Sequence, residues 1–128
     1  QKDLRCSEAV AGYSEALHTY RFKTLYVPLN QDNFHTWQKE DDATRRRHLD
    51  VLLRNHILAA FKGMGVWLEP EQRILAQAGY LSQKSTRFKN QTLLAFSGTF
   101  MTNAVLPQWT GIGKSVSRGF GAVEVLSV

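Results

Sequence analysis

The order of hydrophobic and polar positions along the chain predicts a strand followed by a long helix. Residues 20–29 are rich in aromatic and branched side chains, which is typical of a strand. In residues 41–61 the apolar side chains recur at intervals of three and four, which is the spacing of an amphipathic helix. Asp41 supplies a capping oxygen at the start of this helix, and Gly63 is a suitable residue to end it.

The second half of the chain predicts three more strands. Residues 74–82 and 92–106 have a strand-like composition. Because a polar and basic segment at residues 83–91 separates them, we expect a hairpin with a basic tip. A glycine-rich segment at residues 111–121 is followed by a short final strand at residues 122–128.

This order of elements predicts an α+β domain in which one antiparallel sheet packs on one long helix. A ferredoxin-like (RRM-like) domain has a similar order, with a second helix where this chain has residues 107–119 and its glycine-rich loop before the last strand. The length of 128 residues suits a single domain. We expect residues 1–18 to form a leading segment or short helix, and residues 19–128 to form the domain.

The composition excludes several classes of protein. No run of about 18 apolar residues is present, and the N-terminus does not have the layout of a secretory signal. We therefore expect a cytoplasmic protein without a membrane partner. The single cysteine, Cys6, excludes an internal disulfide and a sulfur-based zinc site, and no histidine has a second ligand at metal spacing. We expect neither a metal nor another cofactor.

The positive charge is concentrated in the second half of the chain. Residues 1–71 contain 10 basic and 10 acidic side chains, whereas residues 72–123 contain six basic side chains and no acidic one. A polyanion would suit this distribution, because each neutralised phosphate releases counterions. A solvated basic face without a partner is the alternative.

The glycine-rich segment does not fit either common nucleotide-binding pattern. A P-loop would need glycine at position 108, where the chain has Gln108, and a dinucleotide fingerprint would need glycine where Val116 stands. A nucleotide-binding protein is therefore disfavoured. A plain glycine-rich turn before the last strand remains an open alternative.

The interior of the same segment suits an RNA backbone. Glycines let backbone amides approach a phosphate closely. Ser115 and Ser117 donate hydrogen bonds, and Lys114 and Arg118 supply positive charge, with arginine able to bind a phosphate bidentately. These residues favour a loop that binds the sugar-phosphate backbone.

Two Gly-hydrophobe-Gly triplets begin at Gly111 and Gly119 and are separated by five residues. This pattern near the C-terminus resembles the glycine-rich signature of the CRISPR-associated endoribonucleases that process precursor CRISPR RNA, which belong to the RAMP superfamily. Further segments that are similar to this family are Leu106-Pro107, residues 100–103 at the end of a strand, and helix residues 55–58 and 62–63.

The resemblance covers residues 19–128 and implies ferredoxin-like folds, usually two in tandem, and a role in antiviral defence. Members bind CRISPR repeat RNA and cut it without a metal: the ribose 2′-hydroxyl attacks the adjacent phosphate, giving a 2′,3′-cyclic phosphate and a 5′-hydroxyl. Repeat RNA and other CRISPR-associated proteins are the implied partners. Members are nearly twice as long, and their general base, often a histidine, usually lies in the first domain. If Gln1 marks a truncation, this chain is the second domain and lacks that base.

The candidate catalytic residues are two histidines, because metal-free RNA cleavage needs a general base and a general acid. His56 lies on the apolar face of the helix, where a packed core histidine is the simpler interpretation. His35 lies between Phe34 and Trp37, close to aromatic surface. The alternative to a nuclease is a non-catalytic RAMP-type domain or subunit that holds guide RNA in a CRISPR effector or adaptation complex.

The candidate RNA-binding residues belong to the glycine-rich segment, to the basic tip of the hairpin and to the tryptophan before the loop. They are Gly111, Gly113, Lys114, Ser115, Ser117, Arg118, Gly119, Gly121, Lys84, Arg87, Lys89 and Trp109. The aromatic residues Tyr20, Phe22 and Tyr26 of the first predicted strand either stack on bases or, as is more common, fill the core.

Overall fold

The computed structural model describes residues 11–29, 31–88 and 91–126. Within these residues the chain forms four strands, two α-helices and one short 3-10 turn. In chain order they are β1 (Gly12–Phe22), α1 (Gln31–Gln38), α2 (Asp42–Met64), β2 (Ala76–Phe88), β3 (Gln91–Val105), the 3-10 turn (Val116–Arg118) and β4 (Val123–Val125).

The strands form one antiparallel sheet in the order β2-β3-β1-β4. The first and third strands lie in the middle, as in a ferredoxin-like fold. Irregular chain and the 3-10 turn lie between β3 and β4, where that fold has its second helix. The predicted fold class, an α+β ferredoxin-like sheet on one long helix, is confirmed.

Helix α2 covers the sheet, and its ends follow from local chemistry. The Asp41 carboxylate accepts a hydrogen bond from the Thr44 amide at 2.8 Å, which caps the first turn. Gly65 adopts a left-handed conformation (φ 76°) and ends the helix two residues later than predicted. The buried residues of the helix recur at four-residue spacing and are Leu49, Leu53, Ile57 and Phe61.

The aromatic residues of the first predicted strand fill the core. Tyr20 stacks on Phe100 with ring centroids 5.4 Å apart, and Phe22 stacks on Tyr26 at 4.5 Å. The Tyr20 hydroxyl donates to the Ala104 carbonyl at 2.8 Å, which satisfies its polar atom within the core. All three predicted aromatic candidates are buried, so they do not present faces on which bases can stack.

The position of the first strand differs from the prediction. It spans Gly12–Phe22 rather than residues 20–29, so residues 12–18, which we expected in a leading segment or helix, belong to the sheet. Most of that stretch is only partly buried, and its sequence is correspondingly polar. Residues 23–29 join the sheet only at an isolated bridge from Tyr26 to Phe96. Within this stretch Lys23 and Thr24 are exposed, whereas residues 26–29 are buried, and the apolar character of residues 26–29 reflects that burial rather than strand pairing.

The hairpin is longer than predicted. β2 continues to Phe88, which pairs with Gln91 at the start of β3. Lys84 and Arg87 therefore lie within the strand and not at a looped tip, and Lys89 lies outside the described residues. The last strand is shorter than predicted: β4 ends at Val125, three residues before the predicted end.

Candidate nucleic-acid interface

The glycine-rich loop, residues 111–121, is fixed to the chain segment 25–27 by backbone hydrogen bonds. The Gly121 amide donates to the Leu25 carbonyl at 2.7 Å, and the Lys114 amide donates to the Val27 carbonyl at 2.8 Å. Gly111 forms an isolated bridge with Ala122, which closes the loop. The loop is thus a packed part of the domain.

Two glycines of the loop are needed for close packing. Gly113 has φ +99°, and a Cβ placed on it would lie 2.7 Å from Cε1 of Tyr26. Gly121 has φ +77°, and a Cβ on it would overlap the carbonyl oxygen of Ile112. Because L-residues disfavour these backbone conformations and no space is left for a side chain, both positions require glycine. The plain-turn interpretation therefore accounts for these two glycines.

The polar residues between the glycines lie on the surface. The side chains of Lys114, Ser117 and Arg118 are exposed, and Ser115 is half-buried in a left-handed conformation (φ 60°). The Arg118 amide donates to the Ser115 carbonyl at 3.0 Å, which closes the 3-10 turn. Residues 114–118 of the loop therefore carry two exposed cations and two hydroxyls close together in sequence.

His56 lies beside this loop. Its Nδ1 is 2.7 Å from the hydroxyl oxygen of Tyr26, and the two rings meet edge to face with centroids 5.7 Å apart. A concavity separates helix α2 from the loop. It is lined by His56, Ala59 and Ala60 on the helix and by Gly111, Ile112, Gly113 and Val116 on the loop. The structure therefore brings together the predicted loop and one predicted histidine.

The surroundings keep His56 neutral. Burial and, to a smaller extent, the nearby Lys114 ammonium together lower the pKa of His56 from 6.5 to about 4. Burial also raises the pKa of the Tyr26 hydroxyl far above its usual value of 10.0. At neutral pH the hydrogen bond therefore joins an uncharged imidazole and an uncharged phenol.

The lowered pKa of His56 predicts a loss of stability in mild acid. The unfolded chain binds a proton at this histidine below about pH 6.5, whereas the folded chain does not until about pH 4. The stability that the folded chain gains from a neutral His56 is therefore complete above pH 6.5 and is lost as the pH falls towards 4. Allowing for the partial exposure of the ring, we expect the free energy of unfolding to fall by about 1–2 kcal/mol between pH 6.5 and 5.

Urea unfolding at several pH values measures this effect, with the variant His56→Gln as the control. The variant has no imidazole, so its stability should change less over this window. Asp41 and Glu124 also have lowered carboxyl pKa values, because hydrogen bonds from Thr44 and Arg21 favour the charged form. These carboxylates protonate at lower pH than the window. If the free energy of unfolding changed equally with pH in the unmodified chain and in His56→Gln, the loss of stability could not be assigned to His56.

The other predicted residues are more widely spread. His35 is exposed on α1 and is not among the residues that line the concavity. Trp109 is 55% exposed directly before the loop, with an amide that donates to the Val123 carbonyl at 2.8 Å. Lys84 is exposed on β2.

The sequence marked Tyr26 as an aromatic residue for base stacking or for the core, but it did not reveal its contact with His56. Its ring packs against Gly113 and its hydroxyl is hydrogen-bonded to His56, although it is 30 positions from that histidine. Its sequence context is that of an apolar strand, so nothing local distinguishes it from the other aromatic residues.

In the part of the chain that the structure describes, no group of three or more His, Cys, Asp or Glu side chains is arranged to hold a metal ion. None of the described helices is long and apolar enough to cross a lipid bilayer.

The sheet order, the single long helix and the glycine-rich loop define a ferredoxin-like domain whose second helix is replaced by a loop. A family model described as the Cas6b C-terminal domain matches residues 12–126. The chain belongs to this family, which confirms the resemblance seen in the sequence.

Solved structures agree with this assignment. A crystal structure of Cas6b superposes with a TM-score of 0.86 at 32% identity, covering 91% of this chain and 59% of that one. A second crystal structure, of the CRISPR RNA processing endoribonuclease Cas6b, superposes with a TM-score of 0.85 at 32% identity, covering 91% of this chain and 58% of that one. This chain therefore spans less than two thirds of the matched Cas6b chains.

Two further matches are more distant. Csf5, described as a type IV Cas6 crRNA endonuclease, shares the fold with a TM-score of 0.64 at 13% identity, over 91% of this chain and 46% of that one. An uncharacterized protein of Methanocaldococcus jannaschii, MJ0978, is 28% identical over 114 residues, which is 88% of this chain and 75% of that protein.

Proposed function

We propose that this chain acts in the maturation of precursor CRISPR RNA, as the RNA-binding C-terminal part of a Cas6-type endoribonuclease. The observation that carries the proposal is the match of residues 12–126 to the Cas6b C-terminal domain. It is supported by the exposed cations of the glycine-rich loop, Lys114 and Arg118. The proposed partner is CRISPR repeat RNA, and other CRISPR-associated proteins are the proposed further partners.

The loop would bind the RNA backbone through charge and hydrogen bonds. Lys114 and Arg118 supply the cations that a phosphate needs, and Ser115 and Ser117 supply hydroxyl donors. Trp109, exposed beside the loop, offers a ring on which an unpaired base can stack. Lys84 and Arg87 on β2, together with Lys89 just after them in the sequence, are proposed as a second contact with the RNA.

The proposed reaction is cleavage without a metal. The ribose 2′-oxygen loses its proton to a base and attacks the adjacent phosphorus, while the bond from phosphorus to the 5′-oxygen breaks and that oxygen takes a proton. The products are a 2′,3′-cyclic phosphate and a 5′-hydroxyl. In this chain His56 and His35 are the proposed candidates for proton transfer, and a base on another part of a longer protein is the alternative.

A non-catalytic role is the second candidate function. Such a domain or subunit would hold guide RNA in a CRISPR effector or adaptation complex without cutting it. One observation favours this alternative: one ring nitrogen of His56 is already engaged by Tyr26.

Incubation with labelled CRISPR repeat RNA in EDTA tests the proposal. We expect the chain to bind the repeat, and a gel separates binding from cleavage. Cleavage that a 2′-deoxy nucleotide at the scissile position abolishes would place a complete metal-independent site within these residues. Binding without cleavage would favour the guide-holding role or a base elsewhere. A chain that binds repeat RNA no better than an unrelated RNA of equal length and charge would contradict the recognition of the repeat.

A further inference from the structure

The hydrogen bond between Tyr26 and His56 determines which ring nitrogen carries the proton. Tyr26 is 0% exposed, and its hydroxyl keeps its proton because burial raises the pKa. A buried hydroxyl proton needs an acceptor. Within the described part of the chain, the partner of this hydroxyl is Nδ1 of His56, 2.7 Å away. The hydroxyl therefore donates, and Nδ1 accepts.

The second ring nitrogen follows from the first. A neutral imidazole has one donor nitrogen and one acceptor nitrogen, so a ring that accepts at Nδ1 carries its proton on Nε2. The ring is neutral at physiological pH because its pKa is about 4. The nitrogen that remains to meet a ligand is therefore a donor with no lone pair in the ring plane, and it cannot take up the 2′ proton of a ribose.

We infer that Tyr26 fixes His56 in the Nε2–H tautomer, so that His56 donates a hydrogen bond to a phosphate oxygen of RNA held at the glycine-rich loop. The inference rests on the proposed function, because the loop must bind RNA. It assigns His56 to RNA binding rather than to the role of general base.

The same segment of chain positions both polar groups of the proposed contact. Tyr26 holds the imidazole through its hydroxyl, and the next residue, Val27, accepts the backbone amide of Lys114 at 2.8 Å. Gly113 packs closely against the Tyr26 ring, since a Cβ on it would lie 2.7 Å from Cε1, so a shift of the loop would disturb that ring. The concavity carries the neutral N–H of His56, and the Lys114 ammonium is near enough to act on that ring. Both groups suit a phosphate, which offers acceptors and negative charge.

A pair of substitutions at His56 tests the donor role. In His56→Gln the side-chain amide can place an N–H near the former Nε2, whereas His56→Ala removes the donor. We expect the affinity for labelled repeat RNA to fall about tenfold in His56→Ala and no more than about twofold in His56→Gln. Equal losses in the two variants, or no loss in either, would overturn the inference.

The tautomer is measured directly in the unmodified chain. Two-bond proton–nitrogen NMR spectra at pH 7 distinguish a protonated ring nitrogen from an unprotonated one. We expect Nε2 to be protonated and Nδ1 to be unprotonated. In Tyr26→Phe, which keeps the ring stacked on Phe22 but removes the hydroxyl, both nitrogens should move towards an average of the two tautomers. A protonated Nδ1 in the unmodified chain would refute the inference even if no variant folds.

Lys114→Ala separates this inference from the proposed function. If that variant loses RNA affinity while His56→Ala does not, the loop binds RNA and His56 is only structural. If the unmodified chain does not bind RNA at all, the proposed function is wrong and the donor role fails with it, whereas the NMR spectra still report the tautomer.

Discussion

Replacing Gly121 with alanine is expected to lower the free energy of unfolding by about 3–5 kcal/mol. The backbone at this glycine has φ +77°, which costs an L-residue about 1–2 kcal/mol. The new Cβ would also overlap the carbonyl oxygen of Ile112, whose own amide donates to the Gly121 carbonyl at 3.0 Å. Because backbone atoms cannot move aside as a flexible side chain can, relief of the overlap requires that the loop leave residues 25–27.

Gly119→Ala is the matched control for this prediction. Gly119 has a similar positive φ of +94°, but a Cβ on it would meet nothing within 4 Å. Its substitution should therefore lower the free energy of unfolding only by the cost of placing an L-residue at a positive φ, about 1–2 kcal/mol. Urea unfolding of the two variants measures the difference. Similar losses would show that the loop needs glycine at 121 for its backbone conformation alone.

The long helix was predictable because its signals are local. The cap at Asp41 and the apolar residues at three- and four-residue spacing each depend on neighbours within one or two turns. Gly63 was expected to end the helix, but Gly65 is the residue in the left-handed conformation. Both glycines satisfy the sequence rule, and only the packing of the following segment decides between them.

The first strand was misplaced because apolar composition reports burial rather than strand pairing. Residues 26–29 are apolar because they are buried, and residues 25–27 are bonded to the glycine-rich loop. In contrast, the partly exposed residues Gly12, Tyr13 and His18 pair with β3. Tyr26 shows the same limit for the site. Its contacts with His56 and Gly113 join positions 30 and 87 residues away, and no local pattern encodes such distances. The loop itself was predictable because its glycines and cations are contiguous.

Replacing both Lys114 and Arg118 with alanine is expected to weaken binding to repeat RNA by tenfold or more at low salt. Each cation that neutralises a phosphate on single-stranded RNA contributes about 0.7 to the slope of log affinity against log salt, so two such contacts contribute about 1.4. Fluorescence titrations at four or five salt concentrations measure the slope in the unmodified chain and in the double variant. The side chains of both residues are exposed.

Lys62→Ala is the control for the loss of charge alone. Lys62 is an exposed lysine in the last turn of α2, and it lines a separate apolar groove together with Trp67. Removing it lowers the net charge without touching the loop, so the slope should stay close to that of the unmodified chain. Equal slopes for the control and the double variant would mean that RNA is attracted by overall charge, and that the loop makes no phosphate contacts of its own. A steeper slope for the control than for the double variant is what direct contact by the loop requires.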